Sequence, residues 1–406
     1  MKKLTKYLLS LVMAVGFFSC DEKFDEINTN LVDPTTLNPL FLLNQGILDM
    51  RYRDGVSSLQ DLSYNFGIVQ QIITPFGSSL AGANYNQLNL SNSQHIWINT
   101  YRNVLKNTVD AVEKSKVDPE NTNLYHSARI WKVYAYMVLT DTYGDIPYFE
   151  GAKGFIEQIV TPKYDSQETI YMDLLKELEE ATAGLDPSKP SSTSEILYGG
   201  DPLKWKKFGY SLMLRAAMRL TKVAPSTAET YVSKAVAGGL ISSNEENAVL
   251  RNTSIFNNYL GVHLGAREKA NYYLTEPFVN HLKDNEDPRL VSIAIRHVGA
   301  TNGPSQTISR ITRDPDLQIG MPMGHDDVSI NSVSAETGVV SLWDYTQANI
   351  YTVLKVDSPQ FFLTYSQNQL LLAEAAVRGW VQGDASTYYE EGIRANMEQM
   401  ALYDVE

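Results

Sequence analysis

The stretch that decides the fold is ARIWKVYAYMVLTDTYGDIPY, residues 128–148. Its large apolar side chains recur with the 3.6-residue period of an α-helix. These positions are Ile130, Trp131, Tyr134, Met137 and Val138. Gly144 predicts the end of the helix, and Pro147 shortly afterwards prevents its continuation. The sequence therefore predicts a long helix from about Leu124 to Tyr143 with one buried face.

The same period and capping signals extend the helical prediction to both sides of this segment. Upstream helices are predicted at about Leu37 to Met50 and at 100–116. Downstream helices are predicted to be capped by Asp165 with Glu168, by Asp201 ahead of Pro202, and by Ser226 with Glu229. Further helices are predicted at Thr275–Lys283, Phe361–Trp380 and Asp384–Met400. Trp131, Trp205 and Trp380 lie in the apolar stripes of these helices, so we expect them in the core.

The C-terminal pair, LLLAEAAVRGWVQGDASTYYEEGI (370–393), resembles a tetratricopeptide unit. Small side chains, Ala373 and Ala376, lie on the first helix, Gly379 lies near the break, and Ala385 begins the second helix. Between 241 and 358 the helical period fades and Asn, Gly, Ser and Asp are frequent. We therefore predict an all-α fold, with a tetratricopeptide-like helical scaffold and an irregular, loop-rich ligand-binding subdomain.

Charge and motifs argue for binding and against catalysis. The formal charge of −13 disfavours a nucleic-acid partner. The six histidines are scattered without metal-ligand spacing, and neither a Gly-x-Ser-x-Gly nor a Walker A motif occurs. The sequence thus predicts no catalytic residue, no metal ligand and no cofactor.

The N-terminus, MKKLTKYLLSLVMAVGFFSC, predicts export and lipid anchoring. Three lysines precede twelve mostly apolar residues, 7–18, which is the length of a signal-peptide core and too short to span a bilayer. Cys20 follows Ser19 at the end of this core, as in a bacterial lipobox, and is the only cysteine in the chain. The alternative interpretation is an ordinary secretory signal with a cysteine near its cleavage site. We predict a signal peptide at 1–19 and a lipid anchor on Cys20 with a tether to residue 36.

Several segments together resemble the SusD/RagB family of outer-membrane nutrient-binding lipoproteins, in its SusD-like second subgroup. These segments are 128–148, DPLKWKKFGYSLMLRAAMRL (201–220), DNEDPRL (284–290), IGMPMG (319–324) and 370–398. The resemblance implies tetratricopeptide-like helix pairs for about 37–240 and 360–406, and a ligand-facing insert for about 241–358, within a SusD-like domain at 37–406. Members of the family generally extend further, so we expect the chain to be a C-terminally truncated or shortened form.

The resemblance also implies a function. It predicts a non-enzymatic lipoprotein on the cell surface that captures oligosaccharides for a SusC-like TonB-dependent transporter in the outer membrane. Some relatives bind peptides, so peptide capture is one alternative. A helical scaffold for the transporter complex, without a ligand of its own, is the other.

Sugar-binding sites stack flat apolar sugar faces on aromatic rings, beside side chains that can bind hydroxyl groups. Aromatic residues outside the helical stripes and near amides are therefore the candidates for ligand binding. They are Tyr85, Tyr259, Tyr272, Tyr273, Trp343 and Tyr345. Trp97, just before a helix, could be a ligand-binding residue or part of the core. Arg215 and Arg219, one helical turn apart, are expected to pair with acids at a helix interface.

Overall fold

The computed structural model describes residues 37–51, 58–77, 82–85 and 87–403. Cys20, the predicted signal peptide and the tether lie outside the described residues. The unit that begins at Pro39 is mainly helical with small sheets, which confirms the predicted fold class.

Helices of eleven or more residues supply the scaffold, and the shorter helices lie among the loops. The α-helices are α1 (Pro39–Asp49), α2 (Phe66–Ile68), α3 (His95–Asn99), α4 (Lys106–Lys116), α5 (Thr122–Tyr143), α6 (Gln167–Gly184), α7 (Pro202–Arg219), α8 (Pro225–Gly238), α9 (Tyr259–Val262), α10 (Glu276–Asp284), α11 (Leu290–Ile293), α12 (Ser329–Thr337), α13 (Tyr365–Val377) and α14 (Ala385–Gln399). Three π-helical turns, Asp61–Asn65, Thr100–Leu105 and His263–Arg267, adjoin α2, α3 and α9.

Consecutive long helices pack against each other, as expected for tandem helix pairs. The contacts run from α4 to α5, α5 to α6, α6 to α7 and α7 to α8, and then from α13 to α14. Helix α13 also packs on α7, which connects the C-terminal pair to the rest of the scaffold. Helices α13 and α14 approach each other closely because Gly392 lies against Leu370. A Cβ at residue 392 would come within 2.8 Å of the Leu370 side chain.

Helix α5 lies at the centre of the scaffold. It ends at Gly144, which has a φ of +77° and donates its N–H to the carbonyl of Thr140, as the sequence predicts. Its burial is wider than one face, because Val133, Ala135 and Leu139 are as buried as Trp131. Helices α4, α6 and α7 all contact it, so residues on most sides of the helix exclude water.

Two capping predictions were wrong. Ser166, not Asp165, caps α6 by accepting the N–H of Thr169. Asp165 instead accepts the backbone N–H groups of Tyr148 and Phe149, and so fixes the chain after α5. Helix α8 begins at Pro225 without any side-chain cap. The Asp201 cap of α7 is confirmed.

Short antiparallel strands join the scaffold to the loops. They are β1 (Ile72–Ile73) with β3 (Tyr273–Leu274), β2 (Ala248–Leu250) with β7 (Gln360–Leu363), and β4 (Ala294–His297) between β5 (Ile311–Thr312) and β6 (Gln347–Ala348). The helix predicted from Phe361 therefore starts later, at Tyr365, because residues 360–363 pair with β2. Phe362 of β7 packs edge-on against Trp131, with ring centroids 4.9 Å apart.

A buried ion pair connects α5 to α6. The Arg129 side chain is 9% exposed and donates two hydrogen bonds to Glu177, at 3.1 and 2.9 Å, and one to Glu180 at 2.7 Å. Lys132 lies 3.1 Å from the same Glu177 carboxylate. Burial alone would raise the pKa of Glu177, but the bonds from Arg129 and Lys132 outweigh it and lower the pKa to about 2.

We expect Glu177→Gln to lower the free energy of unfolding at pH 7 by about 2 kcal/mol, because it leaves Arg129 with a weaker partner. Folding lowers the pKa of this carboxylate, so the carboxylate stabilises the folded state at pH values above its unfolded pKa. The penalty for Glu177→Gln should therefore shrink as the pH falls from about 4.5 towards 2. Urea unfolding at pH 7 and pH 3 measures it. Glu179→Gln, at the exposed Lys234 pair on the same helix, is the control and should cost well under 1 kcal/mol. An equal penalty for Glu177→Gln at both pH values would contradict the argument.

Two smaller hydrophobic clusters organise the loop-rich region. The first loop cluster contains Leu62, Ile72, Leu260, Leu264, Tyr272, Leu274, Val279, Leu282, Leu290, Ala294 and Leu354. The second loop cluster contains Ile73, Tyr273, Met321, Ile330, Val339, Leu342 and Tyr345. Strands β1 and β3 separate the two, because successive residues of a strand point to opposite faces. Segment 58–77 thus packs with the insert predicted at about 241–358.

A second ion pair, Arg296 with Asp344, is buried in this region. The two side chains are 7% and 2% exposed. Asp344 accepts hydrogen bonds from Arg296 at 3.0 and 3.1 Å, and from the backbone N–H groups of Gly299 and Val340 at 2.9 and 3.1 Å. Arg296 also donates to the carbonyl of Leu317 at 2.7 Å. One carboxylate and one guanidinium therefore hold together segments that have little regular structure.

We expect Asp344→Ala to destabilise the loop-rich region by about 3–5 kcal/mol, because it leaves the Arg296 guanidinium buried without its counter-charge. Hydrogen exchange should accelerate at residues 294–349 while helices α5 to α7 keep their protection. Glu391→Ala, which breaks the exposed pair with Arg394, is the control and should change little. Uniform loss of protection throughout the scaffold would contradict a local role.

Candidate ligand-binding face

Two of the predicted aromatic residues lie near the second loop cluster. Trp343 contacts the cluster, and Tyr85 is next to Asn84, which hydrogen-bonds to backbone beside it. Trp343 packs on the cluster together with Phe76 and Met323, and its side chain is half-buried. Tyr85 follows Asn84 and is also half-buried. Phe76, Met323 and Trp343 pack on the same cluster, and Asn84 bonds to the backbone next to Met323; we call these residues and Tyr85 the loop face.

Asn84 fixes the loop that carries Tyr85. Its amide donates to the carbonyls of Thr74 at 3.1 Å and His325 at 3.2 Å, and its Oδ1 accepts the N–H of Gly324 at 2.7 Å. Asn84 is 9% exposed, so these bonds are made largely out of water. The loop face is therefore held on the Tyr85 side by an amide that bridges segments far apart in sequence.

The backbone on both sides of Trp343 is also fixed. Its N–H donates to Ser341 Oγ at 3.2 Å, and its carbonyl accepts from Gln306 Nε2 at 2.8 Å. Asp344, the next residue, is the buried partner of Arg296. The half-buried indole consequently projects from a backbone that is held in place before any ligand arrives.

Three predicted binding residues are buried and cannot present a ring face to a ligand. Tyr273 and Tyr345 are both 0% exposed, and Tyr272 is 8% exposed. The Tyr273 hydroxyl donates to the carbonyl of Ala270 at 2.5 Å, and the Tyr345 hydroxyl lies 2.8 Å from Thr337 Oγ1. The prediction was wrong for these residues because β3 and the short turn around Trp343 turn the rings into the loop clusters.

Tyr259 remains accessible but lies elsewhere. It begins α9, beside Leu260 of the first loop cluster, and its ring is half-buried. The Arg267 guanidinium lies over the ring, 5.6 Å from its centroid, which covers one face. Tyr259 is thus available for a ligand only on its remaining surface.

The tryptophan and arginine predictions are mixed. Trp131 and Trp205 are 0% exposed, as predicted, whereas Trp380 is only half-buried under Arg378. Arg219 pairs with Asp141 at 3.2 Å, as predicted. Arg215 instead donates to the carbonyl of Phe362 and to Gln367, so it has no direct acidic partner among its hydrogen bonds.

Trp97, whose role the sequence left undecided, lies in a group of aromatic rings. Its ring packs on Tyr101 at 4.9 Å and edge-on against Tyr143 at 5.3 Å, and it stacks with Tyr164 at 6.0 Å and an interplanar angle of 22°. Tyr164 is 65% exposed. We call Trp97, Tyr101, Tyr143 and Tyr164 the aromatic platform. The signal in the sequence was weak, because Tyr164 lies in an irregular segment far from Trp97 along the chain.

A polar cleft of about 320 Å³ adjoins α3. It is lined by Met50, Arg51, Asp61, Asn65, His95, Ile96, Asn99, Thr100, Tyr134, Val138, Asp141, Thr142, Gln360 and Phe362. Two of the π-helical turns contribute to it, and such turns are frequent at functional sites. A second cavity, of about 530 Å³, shares Asp141 and includes Tyr171 and Arg219. Burial raises the pKa of Asp141, although Tyr171 and Arg219 both favour its ionised form.

The surfaces described above combine aromatic rings with polar and charged side chains. Within the described ranges, no group of His, Cys, Asp and Glu side chains is arranged to hold a metal ion. None of the helices described has an apolar stretch long enough to cross a lipid bilayer. What the arrangement offers is aromatic rings, amides and charged side chains in shallow depressions.

Comparison with protein-family models matches residues 30–405 to the SusD-like second subgroup, described as starch-binding and associating with the outer membrane. Comparison with curated proteins gave no significant match.

Solved structures with the same fold include a chitin-binding protein, with 30% identity and a TM-score of 0.78 over 91% of this chain and 76% of that one. A SusD-like protein from Bacteroidetes has 26% identity and a TM-score of 0.77 over 90% and 78% of the two chains. A chitin-binding SusD homologue from Flavobacterium johnsoniae has 25% identity and a TM-score of 0.72 over 89% and 70%.

The family match covers nearly the whole chain, and the helical scaffold agrees with it. The chain belongs to the SusD-like family of nutrient-binding, outer-membrane-associated proteins, whose members are non-catalytic.

Proposed function

We propose that the chain captures oligosaccharides at the cell surface and delivers them to a SusC-like TonB-dependent transporter in the outer membrane. The observation that carries this proposal is the loop face, where the half-buried rings of Tyr85 and Trp343 lie on backbone held by hydrogen bonds of Asn84, Ser341 and Gln306. Such rings can stack on sugar faces without first being ordered, which reduces the entropic cost of binding. The insert at about 241–358 would then be the ligand-facing subdomain, carried by the helical scaffold.

Chitooligosaccharides are the first ligands to test. Two of the similar solved structures are chitin-binding proteins, at 30% and 25% identity. An N-acetylglucosamine chain is neutral, has flat apolar ring faces and carries acetamido groups that hydrogen-bond with amides. The formal charge of −13 favours such a neutral ligand over an acidic glycan.

We expect chitohexaose to raise the melting temperature and to bind with a micromolar to millimolar dissociation constant, typical of shallow polar sites. Tyr85→Ala and Trp343→Ala should each weaken binding about tenfold, because each removes a ring that stacks on the sugar. Isothermal titration calorimetry measures the change. Tyr389→Ala, which removes an exposed ring of α14, is the matched control and should bind as wild type does.

A panel with malto-oligosaccharides and short peptides separates the alternatives. Stabilisation by peptides and by no glycan would replace oligosaccharide capture with peptide capture. Recovery of the transporter in a detergent pull-down without any detectable small ligand would favour a scaffold role instead.

We also propose that Cys20 carries the lipid anchor. Cys20→Ser should abolish labelling by an alkyne-bearing palmitate and release the protein from the membrane fraction, because the thiol is the acylated atom in a lipobox. Wild-type protein that takes up no label, or that surface proteases on intact cells never cut, would contradict lipid-anchored surface display.

A further inference from the structure

The aromatic platform differs from other exposed apolar residues because its rings are held in fixed planes. Tyr143 accepts the backbone N–H of Trp97 at 3.1 Å, and its hydroxyl contacts the Ser93 carbonyl at 2.8 Å. The Tyr101 hydroxyl donates to the carbonyl of Pro147 at 2.6 Å. Trp97 is therefore held by two tyrosines, and Tyr164 lies nearly parallel to it. The Trp97 ring, on which Tyr164 stacks, is thus fixed before any ligand binds.

The platform adjoins the polar cleft through two elements of the scaffold. On α3, His95, Ile96 and Asn99 line the cleft, whereas Trp97 belongs to the platform. At the end of α5, Thr142 lines the cleft and Tyr143 belongs to the platform. The aromatic platform and the polar cleft therefore share α3 and the end of α5.

The charges of this surface also restrict the ligand. Arg51, Asp61 and Asp141 line the cleft, so cations and anions are both represented and neither sign dominates strongly. Beside Tyr164, Glu150 accepts the N–H of Lys163 at 2.9 Å, and the Lys163 side chain is 85% exposed. A flat exposed ring beside mixed polar groups is the arrangement expected for a neutral pyranose.

We propose that the exposed face of Tyr164, stacked on Trp97, is a second carbohydrate-stacking subsite for a neutral pyranose ring. The proposal rests on the proposed oligosaccharide function and adds a position to it. The platform packs on the main helical core, whereas Trp343 packs on the second loop cluster, so the two surfaces belong to different parts of the fold. A long oligosaccharide would use both surfaces, or two glycan chains would bind at once.

The segment before Tyr164 offers a competing occupant. Phe155 and Val160 are each 85% exposed, and apolar side chains of this kind also serve as protein contacts. They lie on an irregular connection between α5 and α6, whereas the Tyr164 ring is braced from behind by Trp97. This bracing favours a sugar ring over a protein partner at Tyr164.

The test compares chitobiose and chitohexaose by calorimetry on full-length protein. Tyr164→Ala should weaken chitohexaose binding about fivefold to tenfold, because one stacked ring is lost. In a Tyr85→Ala/Trp343→Ala protein, residual binding should remain and should disappear when Tyr164→Ala is added. Chitohexaose should also alter tryptophan fluorescence in the wild type, and Trp97→Phe should remove that part of the change. Tyr389→Ala is again the control, since Tyr389 is 56% exposed on α14.

The outcomes separate this inference from the function on which it rests. Wild-type protein that binds no glycan overturns both. Wild-type protein that binds chitohexaose, with Tyr164→Ala binding equally well, overturns the subsite and leaves the capture function intact. If Tyr164→Ala binds glycan as the wild type does but no longer recovers the transporter in a pull-down, the subsite is also overturned. The Tyr164 ring would then be assigned to a protein contact.

Discussion

The buried pair between Arg296 and Asp344 is the interaction on which the loop-rich region of the molecule depends. A region with short strands and few helices cannot satisfy its backbone groups by regular structure alone. Asp344 accepts two backbone N–H groups as well as the guanidinium, and Arg296 donates in turn to a backbone carbonyl. The sequence contains a single cysteine, so an intramolecular disulfide cannot take over this task. Buried charge, fully hydrogen-bonded, fixes the backbone from which Trp343 projects.

The scaffold could be predicted because its signals are local. The period of Ile130, Trp131, Tyr134 and Met137 and the stop at Gly144 lie within one helix, and each depends on neighbours a few residues away. The error at Asp165 concerns one residue at a helix start, where neighbouring side chains compete for the same N–H groups. At Ser226 the helix begins one residue earlier, at Pro225, and no side chain caps it. The error at Phe361 has another origin, because pairing with β2, distant in sequence, overrides the helical pattern.

The candidate site was less predictable because burial in loops is decided by distant contacts. Tyr272, Tyr273 and Tyr345 have the same composition around them as Tyr85 and Trp343, yet they fill the loop clusters. A segment without hydrophobic periodicity carries no sequence signal for which of its rings are buried. The pairing of β1 with β3 sends adjacent tyrosines to opposite sides, and both become buried. The stacking of Tyr164 on Trp97 was hidden for the same reason.

The two proposed stacking surfaces would suit the capture of a polymer. One exposed ring contributes on the order of 1 kcal/mol, so a single surface holds a sugar only briefly. When a chain already held at one surface reaches the other, the second contact becomes intramolecular, and the combined affinity exceeds that of either surface. Each contact still breaks readily by itself. If the chain delivers its ligand to a transporter, as proposed, this arrangement would help, because capture would depend on both surfaces while release could proceed one ring at a time.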